Sequence, residues 1–194
     1  MKDHFDLLAP FYERFIHPRE PVDLAGFAGL PTEGILLDAG GGTGRITQFL
    51  TGQAGGIVVA DLSHDMLREA TQKPGLLAVR SHSERLPFPE NTFASIIMVD
   101  ALHHVCNQSL TAADLFRVLK PGGTLVIEEP DIRKFVIKLI AVAEKLALMR
   151  SHFLDPDQIS ALFKQPNAKV EIKTGDTTAW VIVKKEGGES APEF

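Results

Sequence analysis

The segment Leu36-Leu37-Asp38-Ala39-Gly40-Gly41-Gly42-Thr43-Gly44 constrains this chain more than any other. An apolar run ends in an acid, and glycines at 40, 42 and 44 follow at once. Such a backbone can turn sharply and approach a ligand with no Cβ in between. The spacing narrows the ligand. A dinucleotide fingerprint, Gly-x-Gly-x-x-Gly/Ala, would need a third small residue where Arg45 stands if it began at Gly40, or where Thr47 stands if it began at Gly42. Asp38, inside the loop, would repel a pyrophosphate but suits a ligand carrying an ammonium group. Asp61 ends a second apolar run 21 residues beyond Gly40, where its two oxygens can accept from both hydroxyls of a ribose. Glycine turns and strand-end aspartates also occur without any ligand, but here loop, spacing and strand context agree.

Around this loop the chain alternates. Strands are predicted at 34–38, 56–61, 76–81, 94–100 and 123–129, with helices at 44–51, 63–70 and 109–119 between them. Ser63 is placed to cap the second helix, with Asp65 favourable in its first turn. Lys120-Pro121-Gly122-Gly123 stops the third helix. A long helical pattern over 133–150 and a shorter one over 155–163 follow, and then two strands around the Gly175-Asp176 turn. The expected fold is α/β, a doubly wound, mostly parallel seven-stranded sheet with a C-terminal antiparallel hairpin. Residues 1–185 are expected to form one domain that begins with a cap helix at about 3–17, and 186–194 to be a disordered tail.

Composition excludes several classes. The 194 residues carry 20 Lys plus Arg against 25 Asp plus Glu, a net charge of −5, so no basic surplus is available for a nucleic-acid backbone. A single cysteine, Cys106, rules out an internal disulfide framework or a thiolate metal cluster and fits a reducing, cytoplasmic setting. No metal-ligand constellation is visible. Charges interrupt MKDHFDLLAPFYERF where a secretion signal needs an apolar stretch, and no run approaches the roughly 18 apolar residues of a membrane span. A soluble monomer or homodimer with no stable membrane insertion is the expectation.

Five segments in order then carry a resemblance: FDLLAPFYERF, LLDAGGGTGRIT, VVADLSHDMLREA, SERLPFPENTFASIIMVDALHHV and RVLKPGGTLVIEEP. Together they are similar to the class I S-adenosylmethionine-dependent methyltransferases, in the branch of the ubiquinone/menaquinone methyltransferases. The resemblance runs from about Phe5 to Glu129 and implies a Rossmann-like methyltransferase fold. It also implies that S-adenosylmethionine is the cofactor, with S-adenosylhomocysteine as product. It would place Asp38 and Gly40, Gly41 and Gly42 along the methionine part, Asp61 on the ribose, Leu62 against the adenine, and Tyr12 closing over the ligand. The Ser83 backbone and the preceding side chain would meet the adenine edge, but His82 stands where the family has an acid. A neutral imidazole can accept one hydrogen bond from an exocyclic amine, and an exposed loop histidine is the other reading. Ala94 departs from the family's usual aspartate at that position.

A sulfonium is an activated methyl donor, so the protein's task is to align an acceptor, exclude water and, for some acceptors, remove a proton. Asp100-Ala101-Leu102-His103-His104 follows the fourth strand at the sheet edge where the methyl would emerge. That position makes His103 the candidate base, leaves His104 as packing, and makes Asp100 a cofactor-side hydrogen-bond acceptor. The apolar face of 133–150 suits a cap over an acceptor pocket, with core packing or a membrane contact as alternatives. The sequence therefore predicts methyl transfer to a small apolar or aromatic acceptor. The rivals are a non-catalytic S-adenosylmethionine or S-adenosylhomocysteine binder and a nicotinamide-dependent oxidoreductase.

Overall fold

A computed structural model describes residues 22–135, 137, 138 and 151–187. The cap helix at 3–17 with Tyr12, most of the helical pattern at 133–150, and 188–194 lie outside the described residues.

Seven strands form one sheet: β1 (Thr32–Ala39), β2 (Ala54–Asp61), β3 (Leu76–Arg80), β4 (Phe93–Val99), β5 (Leu119–Pro130), β6 (Ala168–Thr174) and β7 (Thr178–Lys185). Their spatial order is β3-β2-β1-β4-β5-β7-β6. β1 to β5 pair in parallel, and β7 runs antiparallel to both β5 and β6. Among the described residues the helices are α1 (Val22–Phe27), α2 (His64–Ala70), α3 (Gln108–Val118) and α4 (Pro156–Ser160).

The near-continuous apolar runs of the central strands follow from burial on both faces. Leu37, Ile96, Met98, Leu125 and Ile127 point into one core, shared with Leu115 and Phe116 of α3 and Ile159 of α4. Leu36, Ile97 and Val126 alternate into the other, shared with Leu24 of α1 and Leu67 of α2. The hairpin completes the sheet, and β6 leaves Lys169, Glu171 and Lys173 exposed on its outer strand.

Side-chain caps close two helix starts, the first of them as the sequence predicts. The Ser63 hydroxyl accepts the Met66 N–H at 3.2 Å, and Asn107, capping a helix that begins one residue earlier than predicted, accepts the Leu110 N–H at 3.0 Å. Asn107→Ala is expected to cost about 1 kcal/mol, read as a lower urea midpoint at unchanged slope.

Two elements differ from expectation. The helix predicted at 44–51 is only a 3-10 turn at Thr47–Leu50. Gly44 holds φ +70, which no α-helix accepts, and an ideal Cβ there would lie 2.6 Å from Leu76 Cδ1. Secondly, β5 begins at Leu119 rather than after the Lys120–Gly123 turn. The ladder to β4 pairs Phe93 with Leu119, shifts register, and resumes at Ser95 and Thr124, so the turn residues form an irregularity within the strand. The Lys185 Nζ seals the junction of α3 and β5, donating to the carbonyls of Phe116 at 3.0 Å and Leu119 at 2.8 Å.

Candidate active site

β1 connects through β2 to one side of the sheet and β4 through β5 to the other, so the sheet order reverses between β1 and β4. Ligands of open α/β sheets bind beyond the strand C-termini at such a point. A cavity of about 210 Å³ lies there. Its wall includes Asp38, Gly40, Gly41, Gly42, Asp61, Leu62, His82, Ser83 and Asp100, all expected at the site. His103 is absent from the wall, and Tyr12 lies outside the described residues.

Asp61 organises the loop. Its Oδ2 accepts the Gly42 N–H at 2.9 Å and its Oδ1 accepts the Ser63 N–H at 2.8 Å. A carboxylate offers two acceptor oxygens, the pattern that a vicinal diol needs. Gly42 holds φ +55, a conformation an L side chain rarely adopts.

Asp38 is 2% exposed and takes a hydrogen bond from the Thr47 hydroxyl. Burial pushes its carboxyl up to about 7; the Thr47 bond opposes this, nearby Asp61 adds to it, and Arg45 lowers it. The ionised acid of the sequence reading is thus only partly ionised at neutral pH. Gly41 is required beside it, since an ideal Cβ there would lie 2.4 Å from the Asp38 carboxyl carbon.

Asp100 follows β4 in the left-handed region at φ 51, and its carboxylate lies 3.9 Å from Arg45 Nη2. Asp tolerates that backbone better than most residues. His82 stands 3.9 Å from Glu84, with two-thirds of its side chain exposed. Glu84 Oε1 accepts the N–H groups of Cys106 at 3.0 Å and Asn107 at 3.2 Å, tying this loop to the start of α3. Neither Arg45 nor Glu84 was singled out from the sequence, because nothing local marks contacts that span 55 and 22 residues.

The two histidines exchange places relative to expectation. His103, the expected base, is 4% exposed, bound through Nδ1 to Glu129 and stacked on Phe153, and does not line the cavity. His104 lines the cavity instead. Burial, and then His103 beside it, lower its imidazole to about 4.

The cavity residues fit S-adenosylmethionine. Asp61 offers acceptors for a diol, the glycine loop leaves room that side chains would fill, and Asp38 suits an ammonium group. Two buried hydroxyls of the wall, Thr43 Oγ1 and Ser81 Oγ, have no hydrogen-bond partner among the described residues, as expected where a polar ligand completes a site. Among the described residues no group of three or more His, Cys, Asp or Glu is placed to hold a metal ion, and no helix is long and apolar enough to cross a membrane.

Residues 37–127 match the family model described as a methyltransferase domain. With the sheet order and the loop, this makes the chain similar to the class I S-adenosylmethionine-dependent methyltransferases. Solved structures share the fold. The Haloferax volcanii methyltransferase in complex with the Trm112 methyltransferase activator superposes with a TM-score of 0.78 at 17% identity, covering 96% of this chain and 100% of that one. A Thermotoga maritima protein described as a possible histamine N-methyltransferase gives 0.77 at 20% identity, covering 94% and 98%.

More particularly, the chain is a relative of the ubiquinone/menaquinone biosynthesis C-methyltransferase UbiE. The Cronobacter sakazakii protein is 38% identical over 104 residues, 48% of this chain and 41% of the relative. The chain thus spans about two-fifths of the length of the curated relatives it matches.

Proposed function

We propose that this chain transfers a methyl group from S-adenosylmethionine to a small apolar or aromatic acceptor. The observation that carries the reading is the Asp61 carboxylate, which pins the glycine loop to the end of β2 and faces the cavity. The relatives are named as C-methyltransferases of ubiquinone and menaquinone biosynthesis, so a quinol-type ring is the first acceptor class to test.

When bound, S-adenosylmethionine supplies an activated methyl on a sulfonium. The chain's residues bind and orient. Asp61 takes the ribose hydroxyls, Leu62 packs on the adenine, and His82 and the Ser83 backbone meet its edge. Gly40 to Gly42 admit the methionine part, Asp38 balances its ammonium, and Asp100 faces the sulfonium side. The closing role over the ligand is given to Tyr12, outside the described residues, by the family resemblance alone.

Calorimetric titration tests this. Micromolar binding of S-adenosylmethionine and S-adenosylhomocysteine, with none of NAD, is expected; binding of NAD alone would overturn it. A non-catalytic binder is the second reading, favoured by the low basicity of the cavity imidazole His104. It predicts the same binding but no product with any acceptor.

Asp38 gives the binding a pH signature. Its raised folded pKa contributes stability that is full below 3.8 and lost as pH rises through about 7. A cationic ligand favours the ionised form, so affinity for S-adenosylmethionine is expected to rise through the same window, with proton release. The heat of binding near neutral pH should change with the buffer's ionisation enthalpy in the wild type and not in Asp38→Asn.

A further inference from the structure

The turn after β4 is held by a buried arrangement to which the proposed function assigns no task. Glu129 and His103 are 3% and 4% exposed. Glu129 Oε1 accepts the Leu102 N–H at 2.7 Å, and Oε2 shares a short hydrogen bond with His103 Nδ1. The His103 ring lies nearly parallel to Phe153, centroids 4.3 Å apart, and meets the His104 ring at 3.9 Å. The His103 carbonyl accepts the His152 N–H at 2.7 Å, and Gln108 Nε2 bridges the carbonyls of Leu102 and His152 at 3.1 and 2.7 Å. Three parts of the chain, β5, the start of α3 and residues 151–153, thus converge on three residues.

Burying a carboxylate is costly unless it is fully hydrogen-bonded, and a turn can be held by cheaper means. What a carboxylate on Nδ1 adds is a fixed tautomer and a fixed ring attitude. The ring fixed here abuts His104, which reaches the cavity wall between apolar Ala101 and Val105, on the β4 side of the site. Asp38 and Asp61, the groups for the cofactor, belong to β1 and β2.

Resting on the methyltransferase reading, we propose that Glu129 is a positioning residue: through His103 it sets the attitude of the His104 ring, which hydrogen-bonds the methyl acceptor. Held uncharged at neutral pH, that ring orients an acceptor hydroxyl rather than taking its proton.

The test uses the whole chain with ¹⁵N-labelled histidine rings, S-adenosylhomocysteine as one probe and 1,4-dihydroxynaphthalene as the other. In the wild type, His103 is expected as the Nδ1–H tautomer. The His104 signal, assigned by its loss in His104→Gln, should shift when the naphthohydroquinone joins the S-adenosylhomocysteine complex, while that of exposed His64 stays still. Glu129→Gln still accepts the Leu102 N–H but turns an amide N–H toward His103, forcing the Nε2–H tautomer. The His104 signal should then move and its response to the naphthohydroquinone fall at least about threefold, with S-adenosylhomocysteine affinity within about threefold of wild type, under 0.7 kcal/mol. Should Glu129→Gln not fold, Phe153→Leu loosens the His103 ring from the other side and is expected to move the same signal. A His104 signal unchanged in these variants, or unmoved by the naphthohydroquinone, overturns the inference. Wild type that binds no S-adenosylhomocysteine overturns the methyltransferase reading and takes this inference with it.

Discussion

Asp61→Ala is expected to weaken binding of S-adenosylmethionine and S-adenosylhomocysteine by on the order of a hundredfold or more. The substitution removes the proposed ribose acceptor together with the anchors of two backbone donors, the Gly42 N–H at 2.9 Å and the Ser63 N–H at 2.8 Å. A hydrogen bond to a charged group is worth about 1.5–3 kcal/mol, and about 1.4 kcal/mol is tenfold in affinity. The loop would lose its tie to β2 while the ligand loses its partner. Asp61→Asn should fall between, since an amide keeps one acceptor but turns a donor toward one of the two N–H groups. Calorimetry on the three proteins checks this, and alanine-variant affinity within threefold of wild type would remove Asp61 from the site.

Gly41→Ala is expected to destabilise the fold by about 2–6 kcal/mol, from overpacking at about 1–3 kcal/mol and disruption of a buried acid's hydrogen bond at a further 1–3. The reason is contact, because an ideal Cβ would lie 2.4 Å from both Cγ and Oδ2 of Asp38 and 2.8 Å from Oδ1. That carboxyl has no room to retreat, being 2% exposed and bonded to Thr47. Removing the obstacle should return part of the loss, so Gly41→Ala with Asp38→Ala should be less costly than the sum of the single changes. Denaturant unfolding of the four proteins gives that coupling. An additive result would mean that the two residues do not touch.

How much of this was legible in the sequence follows from the range of each interaction. The strands could be read because the sheet is covered on both faces, which turns Leu36-Leu37 and Ile96-Ile97-Met98 into unbroken apolar runs. The ends of β1 and β2 could be read because Asp38 and Asp61 interrupt such runs at the turn. The short 3-10 turn in place of a helix could not, because a glycine's sign of φ is written nowhere in its identity, and Gly44 is shaped by Leu76 across the fold. His103 and His104 are adjacent in the chain and alike in chemistry. What separates them is Glu129, 26 residues away, which draws one ring inward and leaves the other at the cavity. Lys185 is similarly silent in sequence, a cation near the end of the chain that closes the C-terminus of α3.

The outermost strand β6 has a bearing on how copies of this protein behave toward one another. Among the described residues no further strand pairs with its outer side, and the main-chain groups of such a rim are a template on which a foreign strand could add, fusing sheets into aggregates. A strand added beside β6 would have to settle next to Lys169, Glu171 and Lys173, whose partners, Glu186 for Lys169 and each other for the remaining pair, already hold them in place. Stripping that row of hydrated charge is a poor exchange for a few main-chain bonds. The sheet therefore resists lengthening at this rim in crowded solution, and a Lys169→Val, Lys173→Val chain would be the one to turn cloudy first.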